Sequence, residues 1–167
     1  MSKTFGRRVA YALALAAAPA FAGPVEVTFV EADRYVDAGN TRWDERQNLQ
    51  VLAMHLKSLG QRHLPADQSL SVEVLGLDLA GQMWPTRGGW EVRIVRGMAD
   101  WPRMTVRYTL RDANGQTLRQ GQENIGDPGY TFRRAEVGPS DPLRHEKRML
   151  DDWFRKGFAQ APARAGG

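Results

Sequence analysis

The sequence predicts an α+β domain, a mainly antiparallel sheet of four to five strands with two helices packed on one face. Three observations predict it. Met104, Val106, Tyr108 and Leu110 alternate with Arg103, Thr105, Arg107, Thr109 and Arg111, the period of a half-buried strand, and Asn114-Gly115 then turns the chain back. Leu49, Leu52, Leu56 and Leu59 fall at helical spacing. A second helical run carries Leu143, Leu150, Trp153, Phe154 and Phe158. Hairpins rather than crossovers late in the chain make the sheet antiparallel and leave the helices to one side.

Each element has a local cause. Val25 to Phe29 alternates apolar and polar residues as a strand does. Thr41 with Asp44 three residues on starts the first helix, and Pro65 forbids continuation beyond Leu64; Trp43 on this helix and Trp153 on the second lie on apolar faces and are expected in the core. From Leu70 to Leu79 a strand shifts its apolar phase at Gly76, the mark of a bulge or of burial on both faces. Gly81 to Gly89 reads as a loop, and Trp90 to Val95 as a short strand. The return strand, Gln116 to Glu123, is polar and suits a sheet edge. After a loop from Gly126 to Ser140, Asp141-Pro142 opens the second helix with a carboxylate at the N-cap and proline at the first helical position.

Ahead of this domain, residues 1–22 read as a cleavable export signal. Lys3, Arg7 and Arg8 give a positive start, Val9 to Ala18 a short apolar core, and Ala20-Phe21-Ala22 an A-x-A site before Gly23. The apolar run is too short to span a bilayer. The expected organisation is therefore signal 1–22, one domain over 23–160, and a disordered tail over 161–167 rich in small residues. The expected address is the periplasm. Arg7-Arg8 also matches the start of a twin-arginine signal, although Val9-Ala10-Tyr11 fits the fuller pattern poorly, so the general secretory route is the default.

Charge and composition exclude more than they assign. The whole chain carries +4, but Lys3, Arg7 and Arg8 belong to the signal, leaving 20 basic residues against 19 acidic ones. Nucleic acid is not an expected partner. With no cysteine there is no disulfide, no thiolate chemistry and no lipid-bearing cysteine. Three histidines, His55, His63 and His145, include no H-E-x-x-H pair, so no metal or other cofactor is expected. No serine lies in G-x-S-x-G or S-x-x-K.

The chain resembles an exported Gram-negative family known only as domain of unknown function 3016. The residues that carry the resemblance are Glu146-Lys147-Arg148-Met149-Leu150-Asp151-Asp152-Trp153-Phe154, with Asp78-Leu79-Ala80-Gly81, Trp101-Pro102-Arg103 and Glu123-Asn124. It implies a periplasmic address and no particular activity.

The distribution of charge points to candidate ligand-binding residues. Residues 23–83 hold five basic and nine acidic side chains, whereas 84–134 hold nine arginines and five acids. Arg103, Arg107 and Arg111 share one strand face, where guanidinium forks suit phosphate or carboxylate groups; alternatively the face meets water or the acids of the first segment. Trp84 and Trp101 precede prolines in loops, placed either to stack on a ligand or to close the end of the core. The resulting expectation is a non-catalytic binding module for an anionic ligand or envelope partner. The alternative is a hydrolase of envelope material using His145 with Asp141, Glu146 or Asp78.

Overall fold

Burial alternates along the two long central strands, so each offers one apolar face to a core and one more polar face to water. The computed structural model of the chain describes residues 23–97, 99–132 and 141–159. The expected signal, the expected tail and residues 133–140 of the expected loop lie outside them. Described in chain order are β1 (Val25–Phe29), a short 3-10 turn (Ala32–Arg34), α1 (Arg42–His63), β2 (Gln68–Asp78), β3 (Gln82–Pro85), β4 (Glu91–Ile94), β5 (Arg103–Asp112), β6 (Thr117–Gly126) and α2 (Arg144–Gly157).

The main sheet has four strands in the order β1-β2-β5-β6. β1 runs parallel to β2 because the long helix α1 carries the chain back between them, and the other two pairings are antiparallel. The α+β expectation therefore holds. Leu70, Val72, Val74 and Leu77 of β2 and Met104, Val106, Tyr108 and Leu110 of β5 are buried in one core with Leu52, Leu56 and Leu59 of α1 and Leu150, Trp153 and Phe154 of α2. Both helices thus cover the same face. The register of β2 against β5 shifts between Val74 and Gly76, so the bulge expected at Gly76 is present and returns Leu77 to the core side.

Helix α1 begins as its sequence requires. Thr41 and Asp44 form a reciprocal capping box: the Asp44 amide donates to Thr41 Oγ1 at 3.1 Å, and the Thr41 amide donates to Asp44 Oδ2 at 3.1 Å. Trp43, expected in the core, is instead 63% exposed. It precedes Leu49 by six residues, which at 3.6 residues per turn sets it roughly 120° away from Leu49 and farther still from Leu52, Leu56 and Leu59.

Two other expectations change. The stretch read as a loop from Gly81 to Gly89 contains β3, which pairs antiparallel with β4 in a separate two-stranded sheet. The short strand expected over Trp90 to Val95 is thus half of a hairpin outside the main sheet. Helix α2 starts at Arg144, three residues after Asp141. Asp141 Oδ1 accepts the Leu143 amide at 2.8 Å and Asp141 O accepts that of Arg144, so the carboxylate closes the turn before the helix rather than its first turn.

Candidate functional site

The β3–β4 hairpin hangs from one end of the main sheet, and the Arg93 guanidinium is one of its anchors. Arg93 of β4 forks onto Asp37, Nη1 to Oδ2 at 2.8 Å and Nη2 to Oδ1 at 2.9 Å, and Nη1 also reaches the carbonyl oxygens of Ala80 and Gly81. A bidentate fork of this kind fixes direction as well as distance. Asp37 in turn forms a parallel bridge with Asp78 at the end of β2. Between the hairpin and the sheet end lies an open cleft of about 480 Å³ lined by Tyr35, Asp37, Asp78, Gln82, Asp100 and Arg103 among others.

Two arginine–tryptophan stacks stand at this end of the molecule. The Arg96 guanidinium lies 4.2 Å from the centre of the Trp84 ring, and that of Arg103 lies 5.2 Å from the Trp101 ring. Both distances suit a cation over an indole face. Trp84 is 46% exposed and faces Val92 across the hairpin, with Trp90 exposed at the turn. A stacked guanidinium keeps its N–H edge available to an acceptor in the plane of the fork. Arg103 spends part of that edge on Asp78, from Nη2 at 2.6 Å and Nε at 3.2 Å.

The five residues expected to bind do not form one site. Arg103, Trp84 and Trp101 belong to the hairpin end, whereas Arg107 and Arg111 lie farther along the open face of the sheet. Arg107 Nη1 donates to Glu73 Oε2 at 2.9 Å, and Arg111 lines a shallow polar groove with Glu26, Thr28, Ser71 and Thr109. Arg103 and Arg107 thus meet acids of the first segment, the alternative that the charge distribution left open. Arg96 and Trp90 were missed, because the β3 half of the hairpin that brings them beside Trp84 reads as a loop in the sequence.

Behind the cleft, a group of polar side chains is buried. Glu146 is 1% exposed, and its Oε1 accepts the Ala80 amide at 2.7 Å while Oε2 has no partner among the described residues. Arg148 donates to Asp127 and to the Tyr130 carbonyl, and the Tyr130 hydroxyl donates to Asp100 Oδ1 at 2.8 Å. Asp100 Oδ2 accepts the Arg96 amide, so the network reaches the end of the hairpin. Burial raises the carboxyl of Glu146, opposed by its Ala80 bond, and burial with the Asp100 bond lifts Tyr130 to about 12.

His145 sits in the same layer, edge-on to Tyr130 with ring centres 4.8 Å apart, and both its ring nitrogens lack hydrogen-bond partners among the described residues. Neither Asp141, Glu146 nor Asp78 is hydrogen bonded to it, so the acid/base pair of the hydrolase reading is not assembled. Burial, with Arg144 and Arg148 nearby and Asp127 opposing, lowers its pKa to about 4. An unfolded histidine takes its proton near 6.5, so this neutral ring favours the folded state fully above that value and progressively less as pH falls toward 4. We predict that the stability difference between wild type and His145→Gln shifts against wild type between pH 6.5 and 4, measured by urea melts. A difference independent of pH over that window would remove the buried neutral ring.

The profile of the DUF3016 family, proteins of unknown function, matches residues 23–156. The chain belongs to that family. No curated protein matches it. A solved structure, a minor lipoprotein from Acinetobacter baumannii, is similar over 81% of this chain and 88% of its own, with 11% identity and a TM-score of 0.24.

In this DUF3016 domain the run from Glu146 to Phe154 serves the fold. Besides Glu146 and Arg148, Asp151 Oδ1 lies 2.8 Å from His55 Nε2 on α1, and Trp153 Nε1 donates to Glu123 Oε2 on β6 at 3.0 Å. Asp152 pairs with Arg155. Asp151 and Asp152 are thus both partly buried and paired. No helix of the described DUF3016 domain is long and apolar enough to cross a membrane.

Proposed function

We propose that this DUF3016 protein is an exported, non-catalytic binding module that engages an anionic partner in the cell envelope through its β3–β4 hairpin. The single observation that carries the reading is the pair of arginine–tryptophan stacks at the hairpin end, Arg96 on Trp84 and Arg103 on Trp101. Arginine and tryptophan are the residues most often found at the energetic centre of a binding surface. The buried network behind them holds the hairpin fixed, so little ordering cost is left for binding. Of the arginines farther along the open sheet face, Arg107 is taken up by Glu73, so the contact is centred on the hairpin end.

The test is cosedimentation of the protein with envelope fractions across a salt series, together with titration against vesicles containing phosphatidylglycerol. Wild type is expected to bind and to be released as salt rises, because the attraction is between charges. Trp84→Ala with Arg96→Gln is expected to weaken binding at least tenfold while changing the unfolding free energy from urea melts by no more than about 0.5 kcal/mol per substitution, the range of ordinary surface changes. Binding by the double variant equal to wild type would defeat the hairpin assignment.

A further inference from the structure

Strand β6 closes one side of the sheet, and among the described residues no strand pairs with its outer edge. It is ten residues long and largely exposed. Such an edge presents a row of free amide and carbonyl groups, and folded proteins usually blunt it with lysine, proline or a covering segment. β6 contains neither lysine nor proline, and its two charges, Arg119 and Glu123, lie on the helix side 3.6 Å apart and offset each other. Its register shift against β5 falls at the start, between the partners of Leu110 and Arg111, so the stretch from Arg119 to Ile125 runs in unbroken register.

The sequence of that stretch is self-complementary. Arg119-Gln120-Gly121-Gln122-Glu123 read backwards exchanges only the arginine for the glutamate. Laid antiparallel on a second copy about a two-fold axis through Gly121, Arg119 of each chain faces Glu123 of the other, Gln120 faces Gln122, and Gly121 meets Gly121. An isologous interface demands this relation, residue i contacting j and j contacting i. Directly opposed residues of an antiparallel pair lie on the same face, so the charged pairs fall on the helix side and the glutamines on the open side.

We propose that β6 pairs antiparallel with β6 of a second copy, in the register centred on Gly121, and joins the two sheets into one. Arg119 and Glu123 already lie 3.6 Å apart within a chain, with side chains 47% and 38% exposed, so the two-fold places two cations and two carboxylates around one axis. Each carboxylate then has two guanidinium neighbours. Main-chain bonds between the edges provide the attraction, and the charges select the register. With 20 basic against 19 acidic residues over 23–167, net charge offers almost no repulsion between copies. The hairpin ends, which lie where β6 finishes at Gly126 opposite Arg103, come to opposite ends of the joined sheet.

The proposal is independent of what the hairpin binds, and its test needs no ligand. Sedimentation velocity of the purified protein is expected to give a dimer that dissociates on dilution. Gln120 and Gln122 are exposed and form no hydrogen bond with other side chains among the described residues, so they can be changed without touching the core. Gln120→Lys with Gln122→Lys, and separately Gln120→Glu with Gln122→Glu, place like charges opposite each other and are each expected to be monomeric. Mixing the two variants pairs lysine with glutamate at both positions and is expected to restore dimer mass as a one-to-one species. Circular dichroism spectra matching wild type verify that both variants are folded. A wild-type chain that stays monomeric at every soluble concentration overturns the proposal, as does a dimer indifferent to either variant; so does a mixture of folded variants that fails to associate.

Discussion

Arg148→Ala is expected to cost about 3 to 5 kcal/mol, the loss that follows when one partner of a buried ion pair is removed and the other keeps its charge. Arg148 is 6% exposed and Asp127 8%. The guanidinium ties α2 to the chain after β6 by holding the Asp127 carboxylate through Nε at 3.1 Å and the Tyr130 carbonyl through Nη2 at 2.8 Å. Deleting it leaves a buried carboxylate and a carbonyl oxygen without that partner. Replacing both partners together, Arg148→Met with Asp127→Asn, is expected to cost less than the single alanine variant, because no lone charge is left behind. Urea melts of the two variants decide it. A double variant less stable than Arg148→Ala would mean that the pair contributes net attraction beyond the cost of burying it.

Trp153→Ala is expected to cost a comparable amount, about 3 to 5 kcal/mol for an aromatic side chain lost from a core. The ring is 7% exposed and makes edge contacts with Tyr108 at 6.0 Å and Phe158 at 5.0 Å. Its indole N–H and the Tyr108 hydroxyl, at 3.0 Å each, satisfy the two oxygens of Glu123. The alanine variant therefore opens a cavity and frees one carboxylate oxygen at once. Trp153→Phe keeps most of the volume and loses only the hydrogen bond, so its cost should be about 1 to 2 kcal/mol. An unchanged midpoint in Trp153→Ala would move the ring from the core to the surface.

The parts of the fold that were legible are those decided by near neighbours. The start of α1 could be read because Thr41 and Asp44 cap it within one turn, and its end because Pro65 blocks the next. β5 was legible from strict alternation, and the β5–β6 turn from Asn114-Gly115. β3 was not, since Gln82-Met83-Trp84-Pro85 is four residues ending in proline and becomes a strand only through its pairing with β4. The position of Trp43 was readable in principle, from its angle to the leucine stripe. Parallel pairing of β1 with β2, and the acids that take up Arg103 and Arg107, depend on contacts 25 or more residues away, which local pattern does not encode. For the same reason the candidate site was half legible: Trp84, Trp101 and Arg103 were singled out, but Arg96 stacks on Trp84 only once the hairpin is folded.

The bulge in β2 has a consequence for how the chain tolerates change in length. One extra residue between Val74 and Gly76 is what lets Leu77 face inward after Leu70, Val72 and Val74. Removing Leu75 would restore plain alternation with the same inward set, whereas removing a residue at Ser71 or Glu73 would turn everything beyond it inside out. A length change that ruins most strands is here absorbed at one position. Homologous chains one residue shorter in this strand can therefore keep the same core, with the gap lying beside Gly76.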